Sequence, residues 1–264
     1  MASFLPHPDR RPAVVTGASS GIGLATVLSL AAVGHPVVLG ARRLERCEAT
    51  AASIREAGGE ALALALDLHA PDSVAEFASR ATTELGPIEI VVSNAGDVLP
   101  VTTIDATQDQ FDRQIEVNLL GPQRIVHHLV PAMVERRRGD VVFVTSDAAM
   151  SPRPQMAGYV AAKSGLEGMA RAMRMELEGT GVRVGMVRPG PSLTEQGSGW
   201  DPAALDTALA LWTKWGFMRH HGYLQGSDVA EAIVAMVSAP RGAQFSVIEV
   251  QPEAPVRADG ESPT

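Results

Sequence analysis

Runs of apolar, mostly β-branched residues recur along the chain, spaced widely enough to hold a helix between each pair. Ala13-Val14-Val15-Thr16, Pro36-Val37-Val38-Leu39-Gly40, Ala61–Leu66, Ile88–Ser93, Asp140–Thr145, Val182–Val187 and Phe245–Val250 read as seven strands. The third is the weakest pattern, because Ala and Leu favour helix. Strands that are apolar at nearly every position are buried on both faces, which means a parallel sheet with helices on each side. Right-handed crossovers make a doubly wound α/β sheet the economical topology. Residues Gln110–Arg137 are predicted as one long helix, with Phe111, Ile115, Leu119, Val126, Leu129, Val130 and Met133 in helical period. Pro122 falls four residues after Asn118 and has no N–H, so the Asn118 carbonyl loses its intrahelical donor and calls for another partner, usually water. Pro131 frees the His127 carbonyl in the same way. No internal repeat or interior linker interrupts the chain. It reads as one domain over 1–264, with a core from about 13 to 250 and loose ends at roughly the first ten residues and at 252–264.

Composition narrows the function classes. Of 264 residues 45% are hydrophobic and 20% charged, which is globular and not disordered, and no apolar tract is long enough to span a bilayer. A net charge of −8 argues against nucleic acid or an anionic membrane as partner. Cys47 is the single cysteine, which excludes an internal disulfide framework and a multi-cysteine metal site. The start, Met1 to Arg10, lacks the apolar core of a secretory leader, so the expected location is cytoplasmic. His127-His128 and His220-His221 are adjacent pairs that cannot share a helix face, and no metal site is expected.

Candidate chemistry begins directly after the first strand, where Thr16-Gly17-Ala18-Ser19-Ser20-Gly21-Ile22-Gly23 opens a helix. Glycines there allow a tight turn and let the backbone approach a pyrophosphate, which the helix N-terminus favours electrostatically. No Lys-Ser/Thr follows, so the loop is not a P-loop. The strongest feature is Tyr159-Val160-Ala161-Ala162-Lys163. Positions i and i+4 are neighbours on a helix, so the ammonium sits beside the phenol and is expected to lower its pKa toward working pH. The chain has only two tyrosines, and its only lysines are Lys163 and Lys214. Chance would place such a pair at this spacing in about 0.015 cases. A lysine kept where arginine is otherwise chosen suggests that a compact ammonium is needed.

Together the glycine loop, Ser93-Asn94-Ala95-Gly96, Asn118, Ser146 and Tyr159 with Lys163 resemble the short-chain dehydrogenase/reductase family, over about Ala13 to Val250. Ser146 precedes Tyr159 by thirteen residues, the family's usual interval, and T-G-x-x-x-G-x-G matches its single-domain branch. The resemblance implies a Rossmann-type sheet of order 3-2-1-4-5-6-7, and hydride transfer between a nicotinamide and a carbonyl or alcohol. It implies Tyr159 as general acid/base, Ser146 as donor to the carbonyl oxygen, and Lys163 as holder of the ribose. Asn118 would anchor a water in a proton relay. Gly17, Ser19, Ser20, Gly21, Ile22, Gly23, Asp67, Leu68, Asn94, Ala95, Gly96, Pro189, Gly190 and Thr194 would line the cofactor, with Asp67 on the adenine amino group unless it is a helix cap. A homodimer or homotetramer is also implied.

Three local features refine this. Ala41 stands where relatives that use NAD carry an acidic residue, and Arg42-Arg43 follow at the start of the next helix, where cations oppose the macrodipole. A 2′-phosphate would account for them, so NADP(H) is expected in preference to NAD(H). Trp200, Trp212 and Trp215 cluster in a predicted lid, about 191–225, where Asp201-Pro202 starts a helix and Gly216 ends it. Leu205, Ala208, Leu209, Trp212 and Trp215 form one stripe, which either faces a bulky hydrophobic carbonyl substrate or packs on the protein. Asp147, where the family has a small or apolar residue, either caps the next turn, the favoured reading, or reaches the cleft. The activity expected is an NADP(H)-dependent carbonyl reductase or alcohol dehydrogenase. The alternatives are a β-ketoacyl-thioester reductase and a non-catalytic dinucleotide-binding protein.

Overall fold

Strands β1 (Ala13–Thr16), β2 (Val37–Ala41), β3 (Ala61–Ala65), β4 (Ile90–Ser93), β5 (Gly139–Val144), β6 (Val182–Pro189) and β7 (Val247–Val250) form one parallel sheet. Its order is β3-β2-β1-β4-β5-β6-β7, as the resemblance implies. In this computed structural model residues 6–8, 10–195, 199–218, 220 and 222–256 are described. The outer parts of the two predicted loose ends (1–5, 9 and 257–264), and 196–198, 219 and 221 of the predicted lid, lie outside the described residues. No described helix is long and apolar enough to cross a membrane.

Side chains alternate across each strand and supply two cores. Val15 and Leu39 point into one, with Val27 and Leu30 of α1 (Gly21–Ala32), Ala51 of α2 (Leu44–Glu56) and Ile233 of α8 (Gly226–Ser238). Val14 and Val38 point into the other, with Phe77 of α3 (Pro71–Leu85), Ile125 of α5 (Gly121–Glu135) and Leu166 of α6 (Ala157–Glu176). Burial on both faces explains why these strands are apolar throughout. Strand β7 begins at Val247 and not at Phe245: it is an edge strand whose pairing with β6 runs only from Met186↔Val247 to Pro189↔Val250, and Phe245 is 48% exposed.

The long helix predicted over 110–137 is three pieces. They are α4 (Gln108–Ile115), a π turn at Glu116–Leu120, and α5, the last running through Pro131 without a break. The physical cause is Pro122, which cannot donate to the preceding turn. The chain widens there by one residue, and the Gly121 N–H bonds the Glu116 carbonyl. Thr107 and Gln110 close a capping box that starts α4 two residues before the predicted boundary.

The sheet order reverses between β1 and β4, so their crossovers leave on opposite faces and open a crevice at the C-terminal strand ends. The residues singled out from sequence gather along it.

Candidate active site

At the β1 end of the crevice, Gly17 and Gly21 hold φ of +70° and +55°, which an L side chain rarely adopts. Space is the second constraint: a Cβ on Gly23 would lie 2.3 Å from the Gly17 carbonyl oxygen, and one on Gly17 would lie 2.8 Å from the Ala95 Cα. Thr16 Oγ1 accepts the Asn94 and Ala95 N–H groups at 3.0 Å each, and Asn94 Nδ2 donates to the Thr16 carbonyl at 2.9 Å. The turn after β1 is thereby braced on the end of β4. Ser20 occupies the cap position of α1 but its side chain makes no cap hydrogen bond to the first turn, which begins at Gly21-Ile22-Gly23. Thr194 packs over Gly21, its Cβ 3.3 Å from where a Gly21 Cβ would stand. Pro189 ends β6, and the Gly190 N–H donates to the Val250 carbonyl at 2.8 Å.

The basic residues beside this turn are arranged differently from expectation. Helix α2 begins at Leu44; Arg43 is its cap residue and Arg42 is exposed before it. Arg43 reaches back to the glycine loop, donating from Nη2 to Ser20 Oγ at 2.7 Å and to Ser19 Oγ at 3.0 Å. Its Nη1 pairs with Glu195 at 2.5 Å, and Arg46, which the sequence reading did not select, pairs with the same carboxylate at 2.7 Å. Asp67 is not the cap of α3, a place held by Ala70. It accepts the His69 N–H at 3.0 Å in a local turn. The Leu68 side chain packs against Gly121, and its carbonyl accepts from Arg124 Nη1 at 2.9 Å.

Deeper in the crevice, α6 carries Tyr159 and Lys163 one turn apart, 8% and 3% exposed. The Ser146 hydroxyl is near enough to the Tyr159 phenol to favour its ionised form. Lys163 Nζ donates to the Val144 carbonyl at 2.9 Å and stands 5.7 Å from the Tyr159 ring centroid. Asn118 is fully buried on the π turn. Its Nδ2 donates to the Asp97 and Gln114 carbonyls at 2.8 and 2.9 Å, and its Oδ1 accepts from the Asp97 N–H at 3.2 Å. Gly96 fits between the two: a Cβ there would lie 2.7 Å from Asn118 Oδ1 and 3.4 Å from Lys163 Nζ. Ser146, Tyr159, Lys163 and Asn118 therefore converge, although they come from three places in the chain: the end of β5, α6 and the π turn.

The expected fall in the tyrosine pKa is corrected. Burial pushes the Tyr159 phenol up to about 12, against the opposing effect of Ser146, and burial pushes the Lys163 ammonium down to about 8. Burial shifts both groups toward their neutral forms, although the ammonium still prevails below pH 8. The favoured reading of Asp147 as a cap is also corrected. Ser146 caps the 3₁₀ turn Asp147–Ala149 by accepting the Ala148 N–H, which leaves Asp147 to take Arg153 in a two-pronged pair at 2.8 and 2.6 Å.

Helix α7 (Pro202–Lys214) starts and stops where predicted, with Asp201 accepting the Ala204 N–H and Gly216 at φ +74°. Its stripe divides. Trp200 and Trp212 meet edge to face at 6.4 Å and pack with Tyr159, Val98, Ala148 and Met156. Trp215 is 63% exposed, with Lys214 over its ring, so it does not belong to that cluster. Its position at the helix end, past the last full turn, turns it to solvent.

Sequence reasoning missed Glu167. One turn beyond Lys163 and 1% exposed, it accepts from Thr145 Oγ1, Arg171 and Arg188, the last through two bonds of 2.9 Å. These bonds hold the carboxyl below the usual range although burial opposes them. A charge at an otherwise apolar helix position was the available signal.

Comparison with known proteins agrees with this geometry. The family model for short chain dehydrogenases matches residues 11–203. The chain is 33% identical over 240 residues to a glycine betaine reductase of Emericella nidulans, covering 91% of this chain but only 18% of that protein's length. It is 37% identical over 211 residues to the monensin polyketide synthase putative ketoacyl reductase of Streptomyces virginiae, covering 78% of this chain and 81% of that one. An alcohol dehydrogenase of the archaeon Thermococcus sibiricus, complexed with 5-hydroxy-NADP, superimposes with a TM-score of 0.79 at 29% identity, covering 91% of this chain and 96% of that one. Fold, site spacing and these similarities together establish that the chain belongs to the short-chain dehydrogenase family.

Proposed function

We propose that the chain is an NADP(H)-dependent oxidoreductase that interconverts a ketone or aldehyde with its alcohol, preferring a bulky apolar substrate. The observation that carries this reading is the convergence of Ser146, Tyr159 and Lys163 beside the glycine loop. The residues present fit a dinucleotide. Gly17, Gly21 and Gly23 contribute no side chain of their own at the turn, and Ser20 makes no cap hydrogen bond to the first turn of α1, whose N–H groups favour a pyrophosphate. Arg43 with the Ser19 and Ser20 hydroxyls, Arg42 and Arg46 beside them, forms a donor cluster suited to a 2′-phosphate. The Thermococcus relative's bound 5-hydroxy-NADP favours the same assignment. Asp67 and Leu68 would border the adenine, and Asn94, Ala95, Gly96, Pro189, Gly190 and Thr194 the rest of the cofactor.

The nicotinamide would supply or accept the hydride. The Ser146 hydroxyl would donate to the substrate oxygen as charge develops there. Tyr159 would give that oxygen its proton in reduction and remove it in oxidation. Lys163 would hold the ribose and place its charge near the phenol, and Asn118, fixed by Asp97 and Gln114, would keep the π turn behind it rigid. Trp200, Trp212, Val98 and Met156 give the site an apolar wall, and residues 191–225 would act as its lid. The chain would work as one domain and as a homodimer or homotetramer.

A second reading, reduction of a β-ketoacyl thioester, draws support from the similarity to the putative ketoacyl reductase. The test is NADPH oxidation over a panel of aryl and alicyclic ketones, aldehydes and β-ketoacyl thioesters, with Tyr159→Phe as control. Turnover of the ketones that Tyr159→Phe abolishes while leaving NADPH affinity intact supports the first reading. Turnover confined to the thioesters supports the second, and a Tyr159→Phe variant with near-normal kcat overturns both.

A further inference from the structure

Asp147 places a carboxylate directly after Ser146, and a carboxylate is the strongest acceptor a serine hydroxyl can meet. Ser146 Oγ lies 3.4 Å from Asp147 Oδ1, a distance at which the hydroxyl bond is long and weak. The same Oδ1 accepts Arg153 Nη1 at 2.8 Å, while Oδ2 accepts Nη2 at 2.6 Å. The pair is well shielded, with the side chains 15% and 10% exposed. Arg153 is itself held from the α7 side. Its guanidinium stands 6.0 Å from the Phe217 ring centroid, and Trp212 Nε1 donates to the Pro154 carbonyl at 2.9 Å.

We infer that Arg153 is a positioning residue: by saturating the Asp147 carboxylate it keeps the Ser146 hydroxyl free to donate to the substrate oxygen. This rests on the oxidoreductase reading above and adds to it a residue outside the reacting set. Without the guanidinium, the shielded carboxylate would accept a tighter hydrogen bond from the Ser146 hydroxyl, and that donor would be lost to the substrate. The Phe217 and Trp212 contacts tie this arrangement to the segment around α7. Docking of that segment and readiness of the serine then depend on the same loop, 151–156. The electrostatics agree: the Asp147 charge pushes the Tyr159 phenol up and the Arg153 charge pushes it down, both smaller than the effect of burial. Lys163 on the same helix also faces the Tyr159 ring, and the α7 side brings the rings of Trp200 and Trp212.

The experiment compares wild type, Arg153→Gln, Asp147→Asn and the double variant, reading kcat for ketone reduction, KM for NADPH and the pH profile of alcohol oxidation. Arg153→Gln is expected to lower kcat at least about tenfold, and at most by the 10²–10³ that loss of an oxyanion donor costs. KM for NADPH should hold, and the oxidation profile should move to higher pH as the unpaired carboxylate disfavours phenolate. The double variant removes the competing charge and is expected to recover kcat to within about threefold of wild type, a non-additivity that a purely structural role does not give. If Arg153→Gln does not fold, Arg153→Lys and Arg153→Lys/Asp147→Asn make the same comparison, because lysine keeps the charge without the two-pronged geometry. Wild-type kcat in the Arg153 variants, or a double variant no better than the single, overturns the inference alone. A wild-type chain that turns over no carbonyl or alcohol overturns the reading beneath it, and the inference with it.

Discussion

Lys163 Nζ sits 5.7 Å from the centroid of the Tyr159 ring and donates to the Val144 carbonyl at 2.9 Å, so the lysine is tethered to the end of β5 while it faces the phenol. A buried ammonium with that limited compensation is costly, and its pKa of about 8 expresses the cost.

Replacing Lys163 should therefore trade activity for stability. Below pH 8 the folded chain carries a charged, buried ammonium, whereas the unfolded chain keeps its usual pKa of 10.5. Between those values the unfolded state binds the extra proton, so wild-type stability contributed by this group rises with pH. Lys163→Met is expected to melt higher than wild type at pH 7, by an order of a few degrees. That advantage should shrink from pH 8 to 10.5, and turnover should be lost. Thermal melts of both proteins across that range, without added cofactor, check the sign; a Lys163→Met variant that melts lower at pH 7 contradicts it.

Cofactor preference should follow Arg43. Its bonds to Ser19 and Ser20 place a guanidinium beside the glycine loop, and a charge-assisted bond to a phosphate is worth about twice a neutral one. Arg43→Ala is expected to lower kcat/KM for NADPH by about 10- to 100-fold and to leave NADH nearly unchanged. The wild-type preference should also weaken with added salt. Equal kcat/KM for the two cofactors in wild type would remove the basis for the assignment.

The tryptophans should separate by function. Trp212→Ala removes a ring that packs beside Tyr159 and a bond to the Pro154 carbonyl, so kcat/KM for bulky ketones should fall more than for small ones. Trp215→Ala, at an exposed position, should leave the substrate profile as it is. A matched series of alkyl and aryl ketones measures both.

Glu167 should matter for stability. Glu167→Ala would leave Arg188 half-deprived of its partners, with the side chain 12% exposed, and would leave the Thr145 hydroxyl only its longer bond to the Val187 carbonyl at 3.4 Å. Removing one member of a buried pair costs about 3–5 kcal/mol. The partly exposed Glu249, which also pairs with Arg188, should keep the loss near the lower figure. Urea unfolding of the variant against wild type gives the value.

The strands, their parallel arrangement and the Tyr159–Lys163 pair were legible in the sequence because they follow from local regularities, while the strand order and Ser146 came from the family resemblance. Burial on both faces writes itself as continuous apolar runs, and a helix brings i and i+4 together whatever else the chain does. The glycines of the first turn were legible for the same reason, since φ and close approach are demanded locally. The rest is decided by packing that no local pattern records. Pro122 announced a lost hydrogen bond, but only packing of Asn118 against Asp97 and Gln114 selected a π turn over a kink. The i,i+4 spacing put a cation beside the phenol, yet the depth of the site reversed the expected shift, because desolvation depends on everything packed around the pair. Asp147 found Arg153 six residues on, and Arg43 found Ser19, Ser20 and Glu195, through loops whose course no periodicity records. Which tryptophans of the stripe reach Tyr159 was likewise set by where α7 docks. Local sequence specifies backbone geometry and side-chain spacing; burial and the choice of partner for a charge are properties of the assembled molecule.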